Sequence, residues 1–217
     1  MSFVSLGKRE INFKIVYYGP PLCGKTTNLE QIHRAVPDDV RGSMTMLSTR
    51  QDRTLYFDFL PLQSDVIKGF VSRFQLYTVP GQPIYNRTRQ IVLTGVDGIV
   101  FVADTQFDLM EQNAESFRNL QDNLAGFNRN LDQIPYILQF NKRDLPNAAP
   151  VEYMDFLLNS QREERAEHLE AVAATGTGVL EALNVICKMV LARFIEENNM
   201  VATGHVGNQA AVAMKGN

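Results

Sequence analysis

Near the start of the chain, Gly19-Pro20-Pro21-Leu22-Cys23-Gly24-Lys25-Thr26 sets two glycines ahead of a lysine and a hydroxyl in the spacing G-x-x-x-x-G-K-[ST]. In such a loop successive backbone N–H groups turn inward and surround phosphate oxygens. Lys25 then reaches the β- and γ-phosphates of a nucleotide, and the Thr26 hydroxyl is placed to ligate Mg²⁺. The cradle is expected to run from Pro21 through Leu22, Cys23, Gly24, Lys25 and Thr26 to Thr27. Cys23 is read as a small side chain tucked behind the loop and contributing its backbone, with a redox-sensitive thiol as the alternative. A glycine-rich turn with an incidental Lys-Thr would carry the same letters, so the flanking elements decide. Residues 12–18, NFKIVYY, are a β-branched and aromatic run that stops at Gly19. After the loop, TNLEQIHRAV spaces Leu29, Ile32 and Val36 at three and four residues before Pro37. Strand, glycine loop and helix are the setting that the phosphate motif requires.

A phosphate loop serves ATP and GTP equally, and a second motif separates them. Asn141-Lys142-Arg143-Asp144 reads N-K-x-D at the end of the apolar run PYILQF, where an open α/β sheet presents its ligand. A carboxylate at Asp144 accepts from both the ring N–H and the exocyclic amino group of guanine. Adenine lacks that amino group. Asn, Lys and Asp also favour solvated loops and helix starts, but their occurrence after a phosphate loop, in the right order, selects guanine.

Between the two lies Thr78-Val79-Pro80-Gly81-Gln82, which resembles the D-x-x-G-Q element of Ras-like proteins. That resemblance implies that the Gly81 N–H meets the γ-phosphate and that Gln82 orients the attacking water. Together GPPLCGKTT, LSTRQDRTLYFDFLPL, LYTVPGQPIYNRTR and NKRDLPNA are similar to the bacterial MglA family, Ras-like GTPases of gliding motility and cell polarity. The similarity spans about residues 3–195. Threonine in place of aspartate at Thr78 is a trait of that family. The resemblance further implies that Thr54 closes on Mg²⁺ and the γ-phosphate, and that Arg53 is an arginine finger supplied in cis. It also implies that the Ala173 N–H meets the guanine oxygen, and that a Roadblock-type homodimer, MglB-like, stimulates hydrolysis as a switch strand slides. Pro21 stands where small GTPases usually carry glycine, and it removes an N–H and fixes φ beside the γ-phosphate.

The remaining elements must bring these residues to one edge. YFDFLPL and GFVSRFQLYTV read as an antiparallel pair at the edge of a sheet, joined through Gln63 to Lys68, with Pro61 suited to an edge. Residues 97–104 and 135–141 are near-continuous apolar runs, as strands covered on both faces should be. Helical spacing covers 109–127, 151–158 and 179–197. The expected fold is α/β: a three-layer, open, mostly parallel six-stranded sheet with one antiparallel edge strand, a P-loop NTPase of the Ras-like G-domain kind. Residues 1–199 form this domain, and 200–217 read as a flexible tail without apolar period.

Composition bounds the partners. The 217 residues are 45% hydrophobic with a net charge of −3, which suits one domain and offers no basic footprint for nucleic acid. Two cysteines and three histidines give neither a disulfide framework nor a metal cluster, so a cytoplasmic setting is expected, with recruitment to cell poles left to partners. Ser2 is not the glycine that myristoylation needs, and Lys215-Gly216-Asn217 offers no prenylatable cysteine, so no direct membrane anchor is expected. The chain is expected to be a monomer until a regulator or polarity effector binds it. Two functions stay open: a hydrolysing switch, and a GTP-loaded, hydrolysis-poor polarity scaffold, the latter motivated by Pro21 and Thr78.

Overall fold

The computed structural model describes residues 3–5, 7–46, 58–67, 69–160 and 165–198. Its centre is β2 (Glu10–Tyr18), whose side chains alternate between two cores. Ile11, Phe13, Ile15 and Tyr17 pack on one face, while Val16 and Tyr18 pack on the other. Period-two alternation in a strand buried on both sides produces this split.

Beside β2 run β5 (Phe70–Thr78) and β6 (Gly98–Asp104), both parallel to it, followed by β7 (Tyr136–Asn141) and β8 (His168–Ala171). β4 (Asp58–Ile67) pairs antiparallel with β5. With β4 as the antiparallel member these make the six strands expected, of which the sequence located all but β8. Two short additions lengthen the sheet to eight strands: β1 (Phe3–Ser5), antiparallel to β2, and β3 (Thr45–Met46), antiparallel to β4. The order is β3-β4-β5-β2-β6-β7-β8. β4 also continues through Ile67, where the sequence suggested a connection from Gln63 onward. Pro61 therefore lies beside further chain, and its carbonyl accepts from the Gly42 N–H at 2.9 Å. Because N–H and C=O of one strand residue face the same side, the missing proline donor falls on that outer side and costs no bond to β5.

α1 (Lys25–Ala35) and α5 (Val179–Glu197) cover the first face, and α3 (Met110–Ala125) and α4 (Val151–Asn159) the second. Phe13 stacks on Phe74 and meets Phe194 edge-on, both at 5.2 Å. Each such ring pair adds roughly 0.5–1.5 kcal/mol beyond its buried area. α2 (Asn86–Leu93) is a helix that sequence periodicity did not reveal. Its inward residues are Arg89, Val92 and Leu93, so the buried stripe starts with a charged side chain and reads as polar. The tail expected over 200–217 lies outside the described residues.

Candidate nucleotide-binding site

The carboxyl ends of β2, β5, β6, β7 and β8 bring together the expected site segments, at 19–27, 78–82, 141–144 and Ala173, and add Asp104 to them. At the end of β2 the chain must turn beside β6. Gly19 does so at φ 147°, and a Cβ there would lie 2.1 Å from the Val102 carbonyl oxygen. Gly24 has φ 103°, and its Cβ would lie 2.3 Å from Asn141 Nδ2. Both glycines are required by sterics and by a left-handed backbone. Leu22 adopts φ 59° and is 88% exposed.

Lys25 opens α1 and is buried. Its ammonium group donates to the Gly19 carbonyl at 3.0 Å and the Pro20 carbonyl at 2.6 Å, which folds the loop into a ring around a positive charge. Gly24, the residue before α1, brings no capping side chain, and the first turn carries no acidic group. The N–H groups of that turn are therefore left for an anion, with the helix dipole and Lys25 of favourable sign. Thr26 is exposed at this turn and Thr27 half-buried. Cys23 is fully buried, and burial pushes its thiol pKa up against the opposing pull of Lys25. That placement matches a small side chain packed behind the loop.

The base-reading element is tied directly to this loop. Asn141 is 1% exposed; its Nδ2 donates to the Cys23 carbonyl at 2.7 Å and its Oδ1 accepts from the Ala173 N–H at 2.8 Å. The Ala173 N–H, expected to meet the guanine oxygen, donates here to Asn141 Oδ1. Lys142 has φ 67°, and its ammonium group lies 2.5 Å from the carboxylate of fully buried Asp104. A non-glycine residue held there stores strain of the kind found at binding sites. Arg143 turns away to Glu170 at 2.7 Å and to the Ala149 carbonyl, fastening β7 to β8. Asp144 is exposed, and among the described residues no side chain pairs with it.

Thr78 ends β5 and is 2% exposed; Gln82 is exposed. Gly81 closes on the phosphate loop: a Cβ there would lie 2.4 Å from both Cα and N of Pro21. Arg53 and Thr54 lie outside the described residues.

Residues 40–192 match the Ras family. The chain belongs to that family. It is also 53% identical over 191 residues to the mutual gliding-motility protein MglA of Myxococcus xanthus (strain DK1622), covering 88% of this chain and 96% of that protein. This MglA-like member of the Ras family is a small GTPase, and its family binds guanine nucleotides, usually with Mg²⁺. The family match begins at Val40, after the phosphate loop, so the loop's own geometry carries the argument for phosphate.

Of the two expected Mg²⁺ ligands, Thr26 lies among the described residues and Thr54 outside them. Among the described residues no group of three or more His, Cys, Asp or Glu could cage a metal, and Thr26 offers a hydroxyl beside the anion cradle. Mg²⁺ favours such sites, with few protein ligands and the rest from phosphate oxygens and water. Sequence reasoning missed several supports. Gln139, two residues before Asn141 on the same face of β7, donates to Asn28 Oδ1 at 2.9 Å, and Asn28 Nδ2 donates to the Gly24 carbonyl at 2.9 Å. Thr105 donates from its hydroxyl to the Asn141 carbonyl at 2.8 Å. Asp104 was legible only as the end of an apolar run. Buried polar residues in apolar strands, Gln139 and Asp104, were the available signal. A separate cavity of about 470 Å³ lies at the amino ends of the strands, lined by Phe13, Asp97, Arg129 and Phe194, away from every motif.

Proposed function

We propose that this chain is a switch that binds GTP and GDP with Mg²⁺ and hydrolyses GTP, slowly by itself and faster with a Roadblock-type, MglB-like homodimer. The observation that supports it best is the Asn141 strut from the base-reading strand to the Cys23 carbonyl, which makes the phosphate and guanine elements one rigid site. In this reading Pro21, Leu22, Cys23, Gly24, Lys25, Thr26 and Thr27 line the phosphates, and Asn141, Lys142, Asp144 and Ala173 the base. Thr26 and Thr54 would hold Mg²⁺, which when bound would offset phosphate charge. Gly81 would donate to the γ-phosphate, Gln82 would orient water, and Arg53 would meet charge developing on the transferring group. The name of the Myxococcus relative supports a role in gliding motility, and polarity effectors are the expected readers of the switch. No described helix is long and apolar enough to cross a membrane, and recruitment to the poles would fall to protein partners.

The second reading, a GTP-loaded scaffold with negligible hydrolysis, is favoured by one contact: Gly81 lies so close to Pro21 that a methyl group would not fit between them. Single-turnover GTP decay with and without a Roadblock homodimer separates the two. Stimulated decay that is lost in Arg53→Ala and Gln82→Ala supports the switch. Decay at the spontaneous rate in both conditions refutes it.

A further inference from the structure

Arg89 is 3% exposed on the inner face of α2, and among the described residues no carboxylate pairs with it. A guanidinium buried without a counter-ion persists only where its donors are used. Here the donors converge on the second phosphate-facing segment. Nε donates to the Pro80 carbonyl at 2.8 Å, Nη2 to the Gly81 carbonyl, and Nη1 to Asn119 Oδ1 at 2.6 Å. The guanidinium also lies 5.7 Å from the centre of the Tyr18 ring. Asn119 is itself held from three sides: Tyr18 Oη donates to its Oδ1 at 2.6 Å, Asn123 Nδ2 donates to the same oxygen at 3.1 Å, and its own Nδ2 donates to Asn86 Oδ1 at 3.0 Å. The arginine is therefore braced on β2 and α3 while it grips two consecutive carbonyls.

Two gripped carbonyls fix two peptide planes. Pro80 C=O and Gly81 N–H belong to one peptide, and in the trans form they point in opposite directions. No described peptide is cis. A Pro80 carbonyl aimed at Arg89 therefore turns the Gly81 N–H away from the α2–α3 side, and the Gly81 carbonyl does the same for the Gln82 N–H. The Pro20–Pro21 backbone is the immediate neighbour of Gly81.

We infer that Arg89 is a positioning residue that presets the Gly81 N–H for the γ-phosphate, through its fork on the Pro80 and Gly81 carbonyls and its brace on Asn119. The inference rests on the role proposed above for Gly81. It requires arginine in particular, because a lysine supplies one point charge in place of a planar fork. Since GDP lacks the γ-phosphate, the effect falls on the triphosphate alone.

The test is equilibrium binding of GDP and of a non-hydrolysable GTP analogue to the full chain, Arg89→Lys and Asn119→Ala. Loss of charged hydrogen bonds of this kind predicts about tenfold weaker analogue binding in Arg89→Lys, with GDP binding within about twofold of the parent. Asn119→Ala should shift the ratio in the same direction by about threefold, and it carries the test if Arg89→Lys fails to fold. Equal losses for both nucleotides, or an unchanged ratio in the variant measured, overturn the inference. A parent chain that binds neither nucleotide refutes the proposed function instead.

Discussion

Asn141→Ala is the substitution whose cost follows most directly from the geometry. It removes two hydrogen bonds and leaves the Cys23 carbonyl and the Ala173 N–H without their partner, at residues that are 0% and 2% exposed. Stranding one buried polar group costs about 1–3 kcal/mol, so two with partial relaxation cost about 2–4 kcal/mol. Because the strut is made by the protein's own atoms, the loss appears in the nucleotide-free chain as lower stability. In a domain of this size that is a melting temperature roughly 4–16 °C lower. Asn141→Asp sharpens the test, since it keeps the size and the acceptor for Ala173 but sets a carboxylate oxygen against the Cys23 carbonyl. Ionisation is disfavoured there, so the folded carboxyl pKa is raised above its unfolded value. Stability is then retained at low pH, where the protonated carboxyl can donate to Cys23, and is lost as pH rises through the folded value. Thermal melts across pH, read by circular dichroism, check both variants. A melting point for Asn141→Ala within about 1 °C of the parent would refute the strut.

Gly24→Ala should fail to bind nucleotide, since its Cβ would sit 2.3 Å from Asn141 Nδ2 at a φ of 103°, and isothermal calorimetry with GDP reads the loss. Asp144→Asn should weaken GDP binding about tenfold to a hundredfold and improve xanthosine diphosphate, because a carboxamide N–H₂ pairs with the second ring carbonyl of xanthine; competition binding decides. Cys23 should resist alkylation in the folded chain at neutral pH, because burial raises its pKa and suppresses the thiolate, and the rate should climb as pH rises. Peptide mass spectrometry after iodoacetamide treatment measures it, and rapid neutral labelling would count against the burial.

The chemistry-bearing loops were legible because their spacing is dictated by the ligand more than by the fold. Gly19, Gly24, Lys25 and Asn141 are each positions where one residue type satisfies the geometry, and the structure shows the steric reason for both glycines. Strands buried on both faces, β6 and β7, were equally plain as unbroken apolar runs. Elements whose role is to support the site were harder to see. α2 hides its inward face behind Arg89, and β8 is four residues with one buried side chain, too short for a period. The Asn28–Gln139 link joins residues far apart in sequence, and neither belongs to a motif. Long-range polar pairing leaves a local trace only as an isolated amide in an apolar strand.

Pro21 changes meaning once Gly81 is placed beside it. Read alone, a proline in a phosphate loop removes one donor, and the N–H groups from Leu22 to Thr27 remain. In the structure the larger consequence lies across the gap, because the Pro20–Pro21 backbone fills the space where any side chain on residue 81 would go. Gly81 is constrained on both sides, by this backbone and by the Arg89 fork on its own carbonyl and that of Pro80. A γ-phosphate that meets the Gly81 N–H does so at a peptide whose plane the Arg89 fork already sets. The two proposed functions therefore differ in one physical respect. In the switch reading a partner's binding energy speeds hydrolysis beside this fixed pair, and in the scaffold reading nothing does.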